Sequence, residues 1–176
     1  GHCAHAPHQE SQERVQWAIE MYAQIYRDFL ALPGIIGRKS ESERFAGGDA
    51  TLTCEILMPE GKALQGCTSH DLGQNFSKVQ DIKFQDRRGK SQFVWQNSWG
   101  FTTRSIGAML MAHGDDAGLV LPPKVAPTQV VIIPVTQDEE VLAAAQKLAE
   151  SLGDVRVKVD NRDGESLGFK INKWEL

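Results

Sequence analysis

The sequence predicts an α+β domain built on antiparallel strands, followed by the start of an α/β unit. Three observations favour this: helical apolar spacing over residues 12–32, apolar alternation over residues 51–58, and a change of composition near residue 122. The length of 176 residues suits one compact domain or slightly more. Hydrophobic residues make up 41% of the chain and charged residues 24%, which excludes a wholly disordered protein.

The first predicted element is an amphipathic helix over residues 12–32, ended by Pro33-Gly34. The next segment, residues 37–50, is polar and glycine-containing, which indicates a loop with one conspicuous aromatic residue, Phe45. The apolar residues that recur at spacings of three and four in the helix are Val15, Ile19, Tyr22, Tyr26 and Phe29.

Alternation of apolar and polar residues predicts a half-buried strand over residues 51–58. Pro59-Glu60-Gly61 is a turn signal, so a second strand over residues 62–68 would complete an antiparallel hairpin. The predicted elements that follow are short strands over 80–85 and 92–96 and a buried helix over 104–113 that carries Ile106, Met109, Leu110 and Met111.

A second unit is predicted after residue 122. The continuous apolar run 130–133 is typical of a strand in a parallel sheet. Thr136 and Glu139 have the spacing of a capping box, and the helix that follows would stop at Gly153, before a strand over residues 155–159. This β-α-β pattern predicts two domains, 1–122 and 123–176, the second of which we expect to continue beyond this chain.

Composition excludes some classes of protein. No apolar run approaches the roughly 18 residues needed to span a bilayer, so we expect no membrane partner. Three cysteines, none in a CxxC pair, indicate a reducing compartment and predict a cytoplasmic location. The net charge of −4 argues against a surface that grips nucleic acid throughout, but it leaves room for a local basic path.

Two candidate motifs do not have the required spacing. Gly89-Lys90-Ser91 resembles the end of a phosphate-binding P-loop, but Phe84 stands where that loop needs a glycine. The N-terminal cluster of potential zinc ligands matches no known zinc spacing, so a polar terminal segment is favoured over a metal site. That cluster consists of His2, Cys3, His5 and His8.

Two blocks of uncharged hydrogen-bonding residues, 65–76 and 96–104, lie at predicted strand ends. Such groups are costly to bury without partners. Their concentration beside small residues and single aromatics predicts a site for a small polar ligand.

These blocks also carry a resemblance. The segments RKSESERFAGGDATLTCEILMPEGKALQGCTSHDLGQNFSK and WQNSWGFTTRSIGAMLMAHGDDAGLVLPPKVAPTQVVIIPV closely resemble the prolyl-tRNA synthetase family, in its archaeal and eukaryotic type. The resemblance runs from Gly1 to about Val135 and continues more loosely through RDGESLGFKINKWEL. It implies the class II synthetase antiparallel sheet with helices, followed by an α/β anticodon-binding domain, and the block near Arg104 corresponds to the third class II motif.

The resemblance implies a ligase that uses ATP and Mg²⁺ to activate L-proline as prolyl-adenylate and transfers the prolyl group to tRNA(Pro). It also implies a homodimer in the full-length protein. A different class of protein remains as an alternative: a synthetase-like paralogue that binds an amino acid or a protein without catalysis. Gln65, Thr68 and Arg104 are all retained, which favours the enzyme.

The resemblance also assigns roles to residues. Arg104 would be the catalytic residue, since the planar guanidinium suits phosphate oxygens, and Gln65 would also contact Mg²⁺. The residues implied to bind ATP are Gln65, Gly66, Cys67, Thr68, Thr102, Thr103 and Arg104. Those implied to bind proline are Phe45, His70 and the turn formed by Ser98, Trp99 and Gly100.

Without the resemblance, each residue has a simpler interpretation. His70 would be a structural histidine, Phe45 a core residue, and Thr68-Ser69 the cap of a helix starting at Asp71. Arg104 would be a solvated first residue of a helix, although a cation there slightly opposes the helix dipole.

The resemblance further implies that the first signature motif and most of the second, with its α-phosphate arginine, precede Gly1. We therefore expect the 176 residues alone to be inactive or nearly so. No editing insertion stands between Gly1 and Trp99, so we expect no editing by this segment.

Overall fold

The computed structural model describes residues 1–175, which form two compact units, one ending at Ala112 and the other beginning at His113. No helix within the described residues combines the length and apolar character needed to cross a membrane. The elements are β1 (His2–His5), α1 (His8–Asp28), β2 (Gly34–Arg38), β3 (Ala50–Leu57), β4 (Ala63–Gly73), α2 (Asn75–Val79), β5 (Lys83–Gln85), β6 (Ser91–Phe93), β7 (Trp95–Gly100), α3 (Arg104–His113), β8 (Val130–Ile132), α4 (Glu139–Ser151), β9 (Val157–Val159) and α5 (Leu167–Glu175).

The first unit is an antiparallel sheet of five strands in the order β1-β7-β4-β3-β2. Helix α1 packs across one face of this sheet, and β5 and β6 form a separate hairpin. The second unit contains the parallel pair β8 and β9 joined through α4. The predicted fold class, an antiparallel sheet with helices followed by an α/β unit, is therefore confirmed.

Helix α1 is held on the sheet by an apolar stripe and by polar anchors. Ile19 and Tyr26 are fully buried. Ser69 Oγ of β4 donates a hydrogen bond to the Val15 carbonyl (2.9 Å), and Asn97 Nδ2 of β7 donates to the Ser11 carbonyl (3.2 Å). The helix face of the sheet is thus partly polar, and Ser69 Oγ and Asn97 Nδ2 find partners on the helix, whereas the buried Asn97 Oδ1 has none among the described residues.

The predicted helix 12–32 begins and ends about one turn too late, since α1 spans His8–Asp28. Its last turn closes when the N–H groups of Phe29 and Leu30 both donate to the Ile25 carbonyl. Ala31 then adopts a left-handed φ of 52°, which ends the helix before Pro33.

Strand β4 contains an extra residue relative to β3. Cys67 pairs with Cys54 and Gln65 pairs with Glu55, so Gly66 has no partner of its own. This is a β-bulge, which shifts the alternation of side chains along the strand. A Cβ atom added at Gly66 would lie 2.8 Å from Tyr26 Cζ, so the close approach of α1 to β4 requires glycine here.

Two strands were not predicted, and a third prediction is divided between two strands. The segment interpreted as a polar terminal region is the edge strand β1, which pairs with β7, and the segment 34–38, at the start of the predicted loop, is the opposite edge strand β2. The predicted strand 92–96 is divided at Val94 into the end of β6 and the start of β7. The short edge strands are polar or glycine-containing, so they lack the alternation that identified β3.

Helix α3 has its predicted bounds but is not buried throughout. Ser105, Ala108 and Met109 are buried, whereas Ile106 is 53% exposed and Met111 57% exposed. The helix predicted to be buried is therefore buried along one side and exposed along the other.

The capping box predicted for α4 does not form. Asp138 is the N-cap residue, and Thr136 Oγ1 donates to its carboxylate (2.6 Å). Two acidic residues in the first turn, Glu139 and Glu140, complement the helix dipole instead.

A buried carboxylate joins the end of β9 to α5. Asp160 accepts hydrogen bonds from Arg162 Nε (2.7 Å) and Nη2 (2.6 Å) and from Trp174 Nε1 (2.8 Å). The Arg162 guanidinium holds the pKa of Asp160 well below its usual range. Lys170, also buried, donates to the Arg162 carbonyl, so the loop between β9 and α5 is fixed by charged groups rather than by an apolar core.

Gly66→Ala should destabilise the first unit by about 1–3 kcal/mol, because the new methyl group overlaps the buried Tyr26 ring. Urea denaturation of the chain measures the effect. Gly37→Ala is the matched control, since a Cβ there meets no atom within 4 Å. Equal urea midpoints for Gly66→Ala and Gly37→Ala would contradict the close approach of Tyr26 to Gly66.

Candidate functional site

The bulge in β4 places three predicted site residues on the same face of the sheet. Ser69 points toward α1, so its neighbours Thr68 and His70 point to the opposite, open face. Without the extra residue, Gln65 and Thr68 would lie on opposite faces. With it, Gln65 lines the same cleft as Thr68 and His70.

The imidazole of His70 lies between two threonine hydroxyls. Its Nδ1 is 3.0 Å from Thr51 Oγ1 on β3, and its Nε2 is 3.0 Å from Thr68 Oγ1. The Phe45 ring packs over it, with 4.9 Å between ring centroids and a tilt of 43°. The ring is therefore held at both nitrogens and on one face.

These side chains line a depression of about 230 Å³ that we call the histidine cleft. Lys39 and Glu43 also line this cleft, so it contains one positive and one negative side chain. Lys39 Nζ also lies 3.7 Å from a carboxylate oxygen of Glu55. The residues lining the histidine cleft are Lys39, Glu43, Phe45, Thr51, Gln65, Thr68 and His70.

Burial lowers the pKa of His70, and the nearby positive charge of Lys39 lowers it further. The imidazole is therefore neutral at pH 7, with one nitrogen protonated and the other able to accept a hydrogen bond.

Arg104 lies in a second depression of about 370 Å³, the arginine cleft, which adjoins the first. Gln65 lines both clefts, and Arg104 Nη1 donates to the Gln65 carbonyl (3.2 Å). The next residue along α3, Ser105, is hydrogen-bonded to the buried Tyr26 hydroxyl. This bond anchors the first turn of α3 to α1, and the exposed Arg104 guanidinium lines the arginine cleft while its Nη1 is bonded to Gln65.

Thr102 and Thr103 precede α3 and are exposed. The backbone N–H of Arg104 donates to Thr102 Oγ1 (3.3 Å), and the Thr103 carbonyl accepts from the Ile106 N–H (3.0 Å). Both threonines therefore shape the start of the helix that carries Arg104.

Some predicted site residues are not brought to the open face. The segment 98–100 is part of β7 and not a turn, and Trp99 points to the helix face, where its ring meets Trp17 (6.0 Å) and Tyr22 (6.3 Å). Ser98, paired with His70, faces the open side. The prediction that all three residues surround one ligand is therefore corrected: the Trp99 side chain supports the sheet from behind.

Gly66 and Cys67 likewise face α1, and neither residue lines the histidine cleft or the arginine cleft. The hydrogen bond with Cys54 and burial raise the pKa of the Cys67 thiol, which disfavours its thiolate form. The interpretation of Thr68-Ser69 as a helix cap is wrong, because β4 continues to Gly73.

Sequence reasoning missed several residues of the open face. Thr51 and Lys39 line the histidine cleft, and Thr51 could have been found from its place on the polar side of the alternating strand. A third depression of about 320 Å³ adjoins the cleft at Phe45 and is lined by Ser98 and Phe76 together with His2, Leu72, Gln80 and Gln96.

The cluster of potential zinc ligands at the N-terminus is divided. Within the described residues, His8 groups instead with Asp49 and Asp71, whose ligand atoms lie within 4.8 Å of one another. His8 Nε2 is 2.7 Å from Asp71 Oδ2, and Asn75 donates to Asp49 (2.9 Å). These contacts already give each of the three side chains a partner in the protein.

The lowered pKa of His70 has a consequence for stability. The unfolded chain binds more protons at His70 than the folded chain does, so the free energy of unfolding should fall as the pH decreases below about 6.5. Between about pH 7.5 and 5, His70→Gln should lose less free energy of unfolding than the unsubstituted protein. Urea denaturation at both pH values tests this, and an equal loss in the two proteins would contradict a buried neutral imidazole.

The comparisons with known proteins cover the whole chain. A proline–tRNA ligase of Lachnoclostridium phytofermentans is 50% identical over 100% of this chain and 37% of its own length. That of Cenarchaeum symbiosum is 48% identical over 100% of this chain and 38% of its own length. The chain thus spans little more than a third of the curated relatives it matches.

A solved structure and a family model agree with these relatives. The crystal structure of prolyl-tRNA synthetase from Cryptosporidium parvum, in complex with L-proline and AMP, superposes with a TM-score of 0.86 at 46% identity, over 98% of this chain and 38% of the other. Residues 129–176 match the family model of the anticodon binding domain. The chain is therefore similar to part of the prolyl-tRNA synthetases, in sequence over its whole length and in fold over 98% of it.

Proposed function

We propose that the chain is part of a proline–tRNA ligase, which activates L-proline with ATP and transfers the prolyl group to tRNA(Pro). The single observation that carries the proposal is the meeting of two clefts at Gln65: one holds a neutral His70 between two threonine hydroxyls, and the other holds the Arg104 guanidinium, which donates to the Gln65 carbonyl. The identity of about 50% to proline–tRNA ligases along the whole chain supports the same assignment.

In the proposed activation step, a carboxylate oxygen of proline bonds to the α-phosphorus of ATP, and the bond from that phosphorus to the pyrophosphate oxygen breaks. No protein nucleophile is needed, so the protein contributes position and charge. Arg104 suits this role because its fork can contact two phosphate oxygens, and its backbone is anchored through Ser105 to Tyr26. Thr102 and Thr103 would border the nucleotide from the turn before α3.

Proline would occupy the side of the clefts that includes Phe45, His70 and Ser98. The Phe45 ring offers an apolar surface for a pyrrolidine ring, since this residue is 47% exposed even though its ring packs against His70. The uncharged His70 and Ser98 add no repulsion against the ammonium group of proline. Trp99 and Gly100 contribute through strand β7 rather than by direct contact.

Mg²⁺ fits this site in part. Gln65 offers an amide oxygen, a ligand type that Mg²⁺ accepts, and the ion usually completes its shell with water and phosphate oxygens. When bound, Mg²⁺ would neutralise phosphate charge. Gln65, Gly66, Cys67 and Thr68 would together form the nucleotide edge, with Gly66 and Cys67 contributing backbone atoms.

The finer assignments are also proposals. The uninterrupted chain between Gly1 and Trp99 supports the archaeal and eukaryotic type. Residues 1–122 would be part of the catalytic domain and residues 123–176 the beginning of the domain that binds the anticodon of tRNA(Pro), supported by the family match over residues 129–176. We propose a cytoplasmic enzyme that acts as a homodimer when complete.

The test is proline-dependent exchange of pyrophosphate into ATP by the full-length protein. Arg104→Ala should lower kcat/KM by about 10²–10³, because a charge that stabilises the transferring phosphate is lost. Arg104→Lys should be intermediate, since an ammonium group keeps the charge but not the fork.

Arg87→Ala, in the turn between β5 and β6, is the matched control and should keep the unmodified rate. A full-length protein that binds proline by calorimetry without ATP, yet shows no exchange, would overturn the proposal in favour of a non-catalytic paralogue.

A further inference from the structure

We infer that Thr51 is a positioning residue that fixes the tautomer of His70 and thereby turns the Thr68 hydroxyl into a hydrogen-bond donor for an anionic oxygen of a ligand. The inference deepens the proposed function and rests on it. Its basis is a continuous chain of hydrogen bonds from the Phe45 backbone to the mouth of the histidine cleft.

Thr51 begins this chain. Its Oγ1 accepts a hydrogen bond from the Phe45 N–H (3.0 Å) and lies 3.0 Å from His70 Nδ1. The residue lines the cleft but is only 1% exposed, so little of its surface is available to a ligand. Its hydroxyl therefore links the backbone of the loop that carries Phe45 to the imidazole of His70, over which the Phe45 ring packs.

The direction of the hydrogen bonds follows from the burial of Thr51. Because the Phe45 N–H is a donor, the Thr51 hydroxyl hydrogen needs another acceptor, and His70 Nδ1 is the one that the described residues provide. The opposite tautomer would place two hydrogens between Thr51 and His70, or leave the threonine hydrogen buried without a partner. Nδ1 is therefore the unprotonated nitrogen.

The hydrogen of the neutral ring then lies on Nε2 and is donated to Thr68 Oγ1 (3.0 Å). Thr68 is half-buried and borders the cleft, so its own hydroxyl hydrogen is left for an acceptor in the cleft. Both a carboxylate oxygen of proline and a phosphate oxygen of ATP are acceptors of this kind.

The charged and titratable groups around His70 are few. Lys39, which follows β2, and Glu43, in the loop before β3, reach the same cleft, and Glu55 of β3 pairs with Lys39. From β7 the neighbour of His70 is the uncharged Ser98, with His2 of β1 beyond it. Because the Thr51 hydroxyl donates to the unprotonated nitrogen, it favours the neutral ring, and removing the hydroxyl should raise the pKa of His70.

The experiment compares Thr51→Val, which keeps the shape of the side chain, with Thr51→Ser, which keeps the hydroxyl. In pyrophosphate exchange by the full-length protein, Thr51→Val should raise KM about tenfold for the substrate that accepts from Thr68, while Thr51→Ser stays within about twofold. A higher KM for proline identifies the carboxylate, and a higher KM for ATP identifies the phosphate. The acid limb of kcat/KM for that substrate should move up by about half a pH unit.

Thr53→Val is the matched control. Thr53 lies on the same side of β3 and is also buried, but its hydroxyl bonds to Glu55 and to the Cys67 carbonyl rather than to His70. Thr53→Val should leave the acid limb of kcat/KM at the same pH as in the unsubstituted protein. Unchanged KM values and an unchanged acid limb in Thr51→Val overturn the inference.

A second measurement separates this inference from the proposed function. Nitrogen-15 spectra of histidine-labelled protein, with the His70 signals assigned from His70→Gln, should show a protonated Nε2 and an unprotonated Nδ1. A protonated Nδ1 overturns the inference whatever the activity. Absence of exchange by the unsubstituted protein, with the expected nitrogen signals present, overturns the proposed function and leaves the assigned tautomer supported.

Discussion

The extra residue in β4 is the constraint on which the rest of the site depends. In a regular strand, side chains three residues apart point to opposite faces, so Gln65 and Thr68 could not share a cleft. The bulge at Gly66 removes that restriction and lets one strand supply Gln65, Thr68 and His70 to the open face. The same bulge requires a residue without a side chain, because Tyr26 of α1 lies directly behind it.

The two faces of the sheet use polar residues in different ways. On the helix face, Ser69 and Asn97 are bound to carbonyl groups of α1, so their hydrogen-bonding capacity stabilises the packing of helix on sheet. On the open face, His70 is hydrogen-bonded to both Thr51 and Thr68. The Thr68 hydroxyl can form a further hydrogen bond at the mouth of the cleft. A small set of residue types therefore serves packing on one side and recognition on the other.

Much of this arrangement could be predicted from the sequence, for identifiable reasons. Helix α3 and strand β3 have clear periodicity, and their bounds were predicted to within one residue. The edge strands β1 and β2 lack that periodicity, since hydrogen bonds to a neighbouring strand define them more than apolar alternation does. The bulge leaves no signal beyond a glycine in a strand. Trp99 was assigned to a ligand-binding turn by resemblance, although alternation with Ser98 would have placed its side chain on the other face. The roles of His70 and Arg104 came from resemblance, because neither residue alone is distinctive.

The unpaired edge of strand β2 has a practical implication. Strand β2 ends the row of described strands with one backbone edge unpaired, and its Ile35 side chain is 77% exposed. An open edge with apolar side chains is a template for pairing with another chain. Arg38, at the end of this strand, brings positive charge that discourages such pairing, whereas Lys39 is paired with Glu55. A preparation of these residues alone should consequently be most prone to self-association at high salt, where the repulsion between like charges is screened.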